Sequence, residues 1–387
     1  MNLWNLTTLH QPPPWEAAGD VEAGVQPILY QGEPYHGRPT RVFAYLGIPK
    51  WSPPARAEEI EGSDAPGVPG MVLVHGGGGT ASREWVAIWN ARGYAAIAMD
   101  LGGRGAGRQP LPDGGPDHGQ DPSTTFRDPE SGWTDHWVYH SVASVLRAHS
   151  LLRSLPGVDP RRIGVTGISW GGFLTCIAAG LDQRFACAIP VYGCGFLQHN
   201  SAWIDRGFFA AMSEAARQAS HERCDPSQYV GAATMPMLFV NGTNDIAYPL
   251  DSYQRTYALV RSPLSLAVRV RLAHGHPQGW APPEIARFTE HLFRNGPPLP
   301  RIGEMTRHGA MVSASYESDL PLAEAHLAYT LDSGPWQERV WHVADAGVSE
   351  KTVGAQLPAE TTACFLSVSD TADGYASAPH QVPGERV

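Results

Sequence analysis

Lysine is almost missing from this chain of 387 residues: only Lys50 and Lys351 occur, and every other basic residue is arginine. That preference reads as coding bias of the source rather than as function. Basic residues number 28 against 38 acidic ones, a net charge of −10. Such a balance disfavours nucleic acid or an anionic membrane surface as a partner. Cysteine is scarce too: Cys176, Cys187, Cys194, Cys224 and Cys364 form no CxxC pair and no metal-ligand spacing. They read as buried free thiols of a reducing compartment, and nothing forces Cys187 onto Cys194. No run approaches ~18 uninterrupted apolar residues, so no membrane span is expected. Residues 1–16 lack a basic stretch followed by an apolar one, so no signal peptide is expected and the reading is cytoplasmic; a trimmed leader is left open. There is no internal repeat.

What is present is ample core material. Hydrophobic residues make up 42% of the chain and charged ones 17%. The length suggests one large domain plus a smaller one. Tryptophan is plentiful at 12 residues, either filling the core or lining a pocket.

The chain is organised around Gly167-Ile168-Ser169-Trp170-Gly171-Gly172. An apolar run over residues 163–166 leads in, and a small-residue helical pattern follows. Strand, sharp turn and helix are the context in which Gly-x-Ser-x-Gly forms a nucleophile elbow. Glycine on either side removes the Cβ atoms that would collide at so tight a turn. The competing reading is a chance loop pattern, but the flanking strand and helix signals favour Ser169 as nucleophile.

Around it the pattern alternates. Residues 1–40 are proline-rich and read as an irregular extension, followed by a strand over 41–49 and a polar loop over 51–69. Residues 70–75 and 94–99 are short apolar strands of the kind buried in parallel sheets, separated by an amphipathic helix that ends at Arg92-Gly93. A long loop over 101–132 carries Asp113, Asp117, His118 and Asp121, whose spacing matches no metal-binding pattern. It reads as a solvated rim. A helix over 134–155 shows one apolar face. After the elbow, strands are expected over 186–191, 237–240 and 266–272 and helices over 251–260 and 283–295. Residues 192–235 exceed a simple crossover and read as a cap or pocket-lining insertion. From about residue 297 only short strand-like runs remain: 312–316, 325–330, 340–343, 353–357 and 363–368. The expectation is a catalytic α/β domain over 1–297, a mostly parallel sheet with helices on both faces. A small all-β, immunoglobulin-like sandwich over 298–387 would follow it.

A serine hydroxyl needs a base, and the base needs an acid to hold its tautomer. Asp245 follows one core strand and His274 follows the last, both outside the carboxyl ends of a parallel sheet. Asn244 and Asp251 are substitutes for the acid. His276 is an alternative base or a second layer of the site, and His274 is preferred because it lies nearer the strand end and precedes a glycine. Backbone N–H groups of Trp170 and of the His75-Gly76-Gly77-Gly78-Gly79 run, Gly77 first among them, suit a developing oxyanion. No P-loop or dinucleotide fingerprint supports a phosphate cradle instead.

His75-Gly76-Gly77-Gly78-Gly79, Gly167-Ile168-Ser169-Trp170-Gly171-Gly172, Asn241-Gly242-Thr243-Asn244-Asp245 and His274-Gly275-His276, with residues 41–49 and 329–336, resemble bacterial acetylxylan-esterase-like enzymes of the dienelactone-hydrolase and prolyl-oligopeptidase branch of the α/β hydrolases. The resemblance covers nearly the whole chain. It implies a serine carboxylesterase of the Ser169/Asp245/His274 type, without cofactor or metal, acting on a small ester or acetylated carbohydrate. Cephalosporin-deacetylase-like esterases usually carry tyrosine where this chain has Gly77. Two rivals remain. One is a prolyl-oligopeptidase-type peptidase, against which stands the lack of room for a β-propeller. The other is a glycan-binding module using Trp336 or Trp341, with a vestigial hydrolase domain. A structural or oligomerising role for the sandwich, and with it a homo-oligomer, is also open.

Overall fold

The computed structural model describes residues 3–49, 67–117 and 132–382. Most of the polar loop read over residues 51–69 therefore lies outside the described residues. The main sheet contains β1 (Trp15–Ala17), β2 (Val25–Gln31), β3 (Arg41–Gly47), β4 (Val68–Val74), β5 (Ala95–Met99), β6 (Val158–Ile168), β7 (Cys187–Val191), β8 (Met237–Gly242) and β9 (Leu264–Arg269). Their order across the sheet is β1-β2-β3-β5-β4-β6-β7-β8-β9. From β5 to β9 every neighbouring pair runs parallel, whereas β1, β2 and β3 join antiparallel. The parallel strands β5 and β7 are buried at every position, as an enclosed sheet requires.

Helices in chain order are α1 (Leu6–Leu9), α2 (Arg83–Ala91), α3 (Trp137–Ser154), α4 (Trp170–Leu181), α5 (Ala202–Asp205), α6 (Glu214–Cys224), α7 (Leu250–Tyr257), α8 (His276–Trp280) and α9 (Pro283–Arg294). The start of α2 shows the local logic. Ser82 accepts from the Trp85 N–H, and the helix then buries Trp85, Val86 and Trp89. Among the described residues no helix is long and apolar enough to cross a membrane.

Two expectations need correction. Residues 1–40 are not irregular, because they hold α1, β1 and β2. Pro27 inside β2 disguised that strand; its carbonyl still accepts from Ala18. Nor does α3 present a single apolar face: Trp137 through Leu152 are all buried. The N-terminal segment covers it. Trp4 Nε1 donates to the Tyr139 carbonyl, Tyr30 Oη to that of Ser144, and Ser150 Oγ to that of Leu9. Glu33 meets Arg147 at 2.5 Å. Arg147 and Ser150 on α3 are therefore paired inside, where the pattern had suggested solvent.

The C-terminal region is a β-sandwich. It is built from β10 (Arg301–Ile302), β11 (Thr306–His308), β12 (Met311–Glu317), β13 (Leu322–Thr330), β14 (Trp341–Asp345), β15 (Gly347–Val348), β16 (Thr352–Gln356), β17 (Ala363–Asp370) and β18 (Tyr375–Ser377). One sheet is β10-β12-β16-β15 with β11 on β12, and the other is β14-β13-β17-β18. Trp336 and Trp341, considered above as sugar platforms, are only 7% and 2% exposed and belong to the sandwich core. That core takes in Leu250 and Val268 from the main domain, so the two parts share apolar packing.

Candidate active site

The elbow is built by β6 running into α4. Ser169 has φ 58 and ψ −118, a left-handed conformation that a residue with a Cβ adopts only under constraint. Its N–H donates to the Val191 carbonyl and its carbonyl accepts from Phe173. A Cβ at Gly167 would stand 2.1 Å from the Gly171 oxygen, and one at Gly171 would stand 2.0 Å from the Val74 oxygen. Nothing larger fits at either place.

Asp245 and His274 come together. His274 Nδ1 lies 2.7 Å from Asp245 Oδ2, and the Asp245 side chain is wholly buried. The other carboxylate oxygen accepts from the N–H groups of Ala247 and Tyr248 at 2.9 and 2.7 Å. A carboxylate held this way takes the Nδ1 proton of His274 as a donor, which leaves Nε2 with its lone pair. Tyr192 and Tyr248 flank the imidazole, with centroids 4.6 and 6.4 Å away. Tyr192 is fixed by its own hydroxyl, which donates to the Ala273 carbonyl. The loops after β8 and β9 are also stitched together: Thr243 N–H donates to the Arg269 carbonyl, and Arg271 N–H donates to Thr243 Oγ1.

His276 does something else. Its Nε2 accepts from the Gly76 N–H at 3.1 Å, while its ring lies edge-on to Trp85 and Trp280. Burial, helped by the neighbouring His75 and His274, pushes its pKa down to about 4. The lone pair a base would use is therefore occupied by the glycine loop. His75 grips the same loop: its Nε2 accepts from the Leu101 N–H at 3.0 Å, and its Nδ1 faces the Gly76 carbonyl at 2.7 Å. Gly79 closes the turn onto the Gly76 carbonyl, with Gly78 at φ 67. The Gly77 amide takes part in none of these bonds. A Cβ there would stand 2.6 Å from Trp170 Cδ1, which accounts for glycine at that position.

The substitutes for the acid are engaged elsewhere. Asn244 donates to the carbonyls of Gln337 and Arg339, and Asp251 accepts from Asn200. In the long loop Asp113 pairs with Arg41 at 2.5 Å and Asp117 with Arg104 at 2.6 Å. His118 and Asp121 lie outside the described residues. Sequence reasoning did not single out His75, Tyr192, Tyr248 or Asn244 for these roles. Only His75 carried a signal, through its place at the head of the glycine run. Tyr248 and Trp203 also press on the elbow helix: Trp203 lies 4.6 Å from Trp170 and 5.0 Å from Tyr248.

Residues 113–282, which contain Ser169, Asp245 and His274, match the model of the prolyl oligopeptidase family. The fold is similar to that of acetyl xylan esterase 1 from Thermoanaerobacterium sp. JW/SL YS485, with TM-score 0.59 and 17% identity, covering 74% of this chain and 92% of that one. The chain has the α/β-hydrolase fold. The same shares of both chains are covered in its match to the acetyl xylan esterase from Paenibacillus sp. R4, at TM-score 0.57 and 22% identity. It also resembles the acylaminoacyl peptidase of Pyrococcus horikoshii, at TM-score 0.51 and 17% identity, covering 70% of this chain and 42% of that one. A Bacillus subtilis (strain 168) protein named "Uncharacterized peptidase YuxL" is 24% identical over 222 residues, 53% of this chain and 30% of that relative. The chain thus spans less than a third of that protein's length. Its neighbours include both esterases and peptidases.

Proposed function

We propose that this protein is a serine hydrolase, a carboxylesterase that removes short acyl groups, acetyl first among them, from esters such as acetylated carbohydrates. One observation carries the reading: Asp245 and His274 are joined at 2.7 Å, at the same sheet edge as the strained Ser169. In this mechanism His274 Nε2 takes the Ser169 proton as Oγ attacks the ester carbon. The oxyanion accepts from the Gly77 and Trp170 N–H groups, and losing one such donor typically costs about 3 kcal/mol. His274 returns the proton to the departing alcohol. A water, deprotonated in turn by His274, then releases the acid and restores Ser169.

Ester over amide is supported by extent, since the chain matches 92% of each esterase but 42% of the peptidase. A short acyl group is supported by the crowding of Trp170, Trp203 and Tyr248 around the elbow. The peptidase family model and the peptidase-named relative favour the second reading. The sandwich we read as an immunoglobulin-like domain beginning near residue 298. It serves as a brace, a role that the Asn244 contacts support.

Initial rates on p-nitrophenyl acetate, butyrate and octanoate, beside an Ala-Pro p-nitroanilide, test the assignment. The expected result is fastest turnover of acetate, lost in Ser169→Ala. Anilide cleavage without ester preference would establish the peptidase.

A further inference from the structure

One polar group at the elbow has no part in the mechanism above. Tyr248 is fully buried, with its ring near-parallel to that of His274 and edge-on to Trp170 and Trp203. Its hydroxyl has no aligned hydrogen-bond partner, and the hydroxyl of Ser169, the residue before Trp170, is the side-chain hydrogen-bonding group that acts on it. Its backbone cannot drift, because the N–H donates to Asp245 Oδ1 and the carbonyl accepts from Asn241 Nδ2. A buried hydroxyl left unpaired opposes folding, so such a group calls for an explanation. Burial raises its pKa well above the usual phenol value, with the nearby Cys194 and Asp245 adding to the shift, so it remains protonated and can donate.

We propose that the Tyr248 hydroxyl donates a hydrogen bond to Ser169 Oγ and so acts as a second partner of the nucleophile. The inference rests on the serine-hydrolase mechanism above. As His274 removes the serine proton and the Oγ–carbon bond forms, charge develops on Oγ, and the tyrosine O–H donates to a lone pair not used in the attack. The tyrosine keeps its proton. In the second half-reaction the Oγ–carbon bond breaks, its electron pair returns to Oγ, and His274 supplies the proton while the same donor steadies the leaving oxygen. The oxyanion donors act on the carbonyl oxygen, so this contribution is separate from theirs.

Tyr248→Phe keeps the ring and removes the hydroxyl. The expected result on p-nitrophenyl acetate is a fall in kcat of roughly tenfold or more, with KM within about twofold. Covalent labelling by a p-nitrophenyl phosphonate, which reads Oγ reactivity without deacylation, should slow by a similar factor. The melting temperature should stay close to that of wild type, since the ring and its packing against His274, Trp170 and Trp203 remain. A kcat and labelling rate within about twofold of wild type would overturn the inference. So would a fall in rate that merely tracks a fall in folded protein. Ser169→Ala run alongside separates the two claims. An inactive Ser169→Ala with an unaffected Tyr248→Phe sinks only the tyrosine, whereas an active Ser169→Ala sinks the serine mechanism and the inference with it.

Discussion

Two histidines stand two residues apart after the last parallel strand, and their hydrogen bonds distinguish them. His274 spends its Nδ1 on Asp245 and keeps Nε2, while His276 has given Nε2 to the Gly76 amide. Replacing each should therefore produce different losses. His274→Ala should lower kcat by roughly 10⁴ or more, as removal of a base does in such triads. His276→Ala should cost on the order of tenfold to a hundredfold, because it loosens the loop that carries Gly77 without removing the base. Burst and steady-state kinetics on p-nitrophenyl acetate would check this, and equal losses in the two variants would contradict the division. That Ser169, Asp245 and His274 follow β6, β8 and β9 was legible because strand and turn signals are local. It left His276 open because its partner is 200 residues away, and spacing carries no information about such a contact.

At the scale of elements, the loop that holds Asp245 is braced from outside the main domain. Asn244 donates at 3.2 Å to Gln337 and at 2.7 Å to Arg339, both in the segment leading into β14. Asn244→Ala should cost about 1–2 kcal/mol of stability, through two carbonyls that lose their donor. It should also lower kcat more than it changes KM, since the acid loop positions His274 rather than substrate. Thermal denaturation and steady-state kinetics measure both, and an unaltered melting temperature would count against the brace. Most elements were legible from sequence because apolar runs of the right period mark them. The N-terminal strands were not, because Pro27 interrupts the pattern of β2, and β1 has three exposed residues with no pattern at all. The burial of α3 was hidden for a related reason. Glu33 and Asp182, which meet Arg147 and the Nδ1 of His149, are distant in sequence.

For the whole molecule, several histidines are locked in neutral form. Burial is the leading cause in each case: His149 and His276 are pushed down to about 4, and His380 to about 3. An unfolded chain returns them to about 6.5. Below that value the unfolded state takes up protons that the folded state refuses. Their contribution to stability is therefore complete above pH 6.5 and is lost as pH falls towards 4 and below. Well inside the window each costs about 1.4 kcal/mol per pH unit. Calorimetry between pH 7.5 and 4 should show the melting temperature dropping steeply from about pH 6, and a level profile would refute the coupling.

The last parallel strand has its own consequence. β9 ends the main sheet, and its outward Val268 N–H and carbonyl are met by Ser377 Oγ at 2.9 Å and Tyr375 Oη at 2.7 Å. Both partners belong to β18, so side chains from the sandwich cap the sheet where another strand could add. On the ribosome, Ser169, Asp245 and His274 have all been synthesised about a hundred residues before that cap. During that interval the nascent chain carries an open edge beside its catalytic loops, and chaperone binding there would guard against association with neighbouring nascent chains.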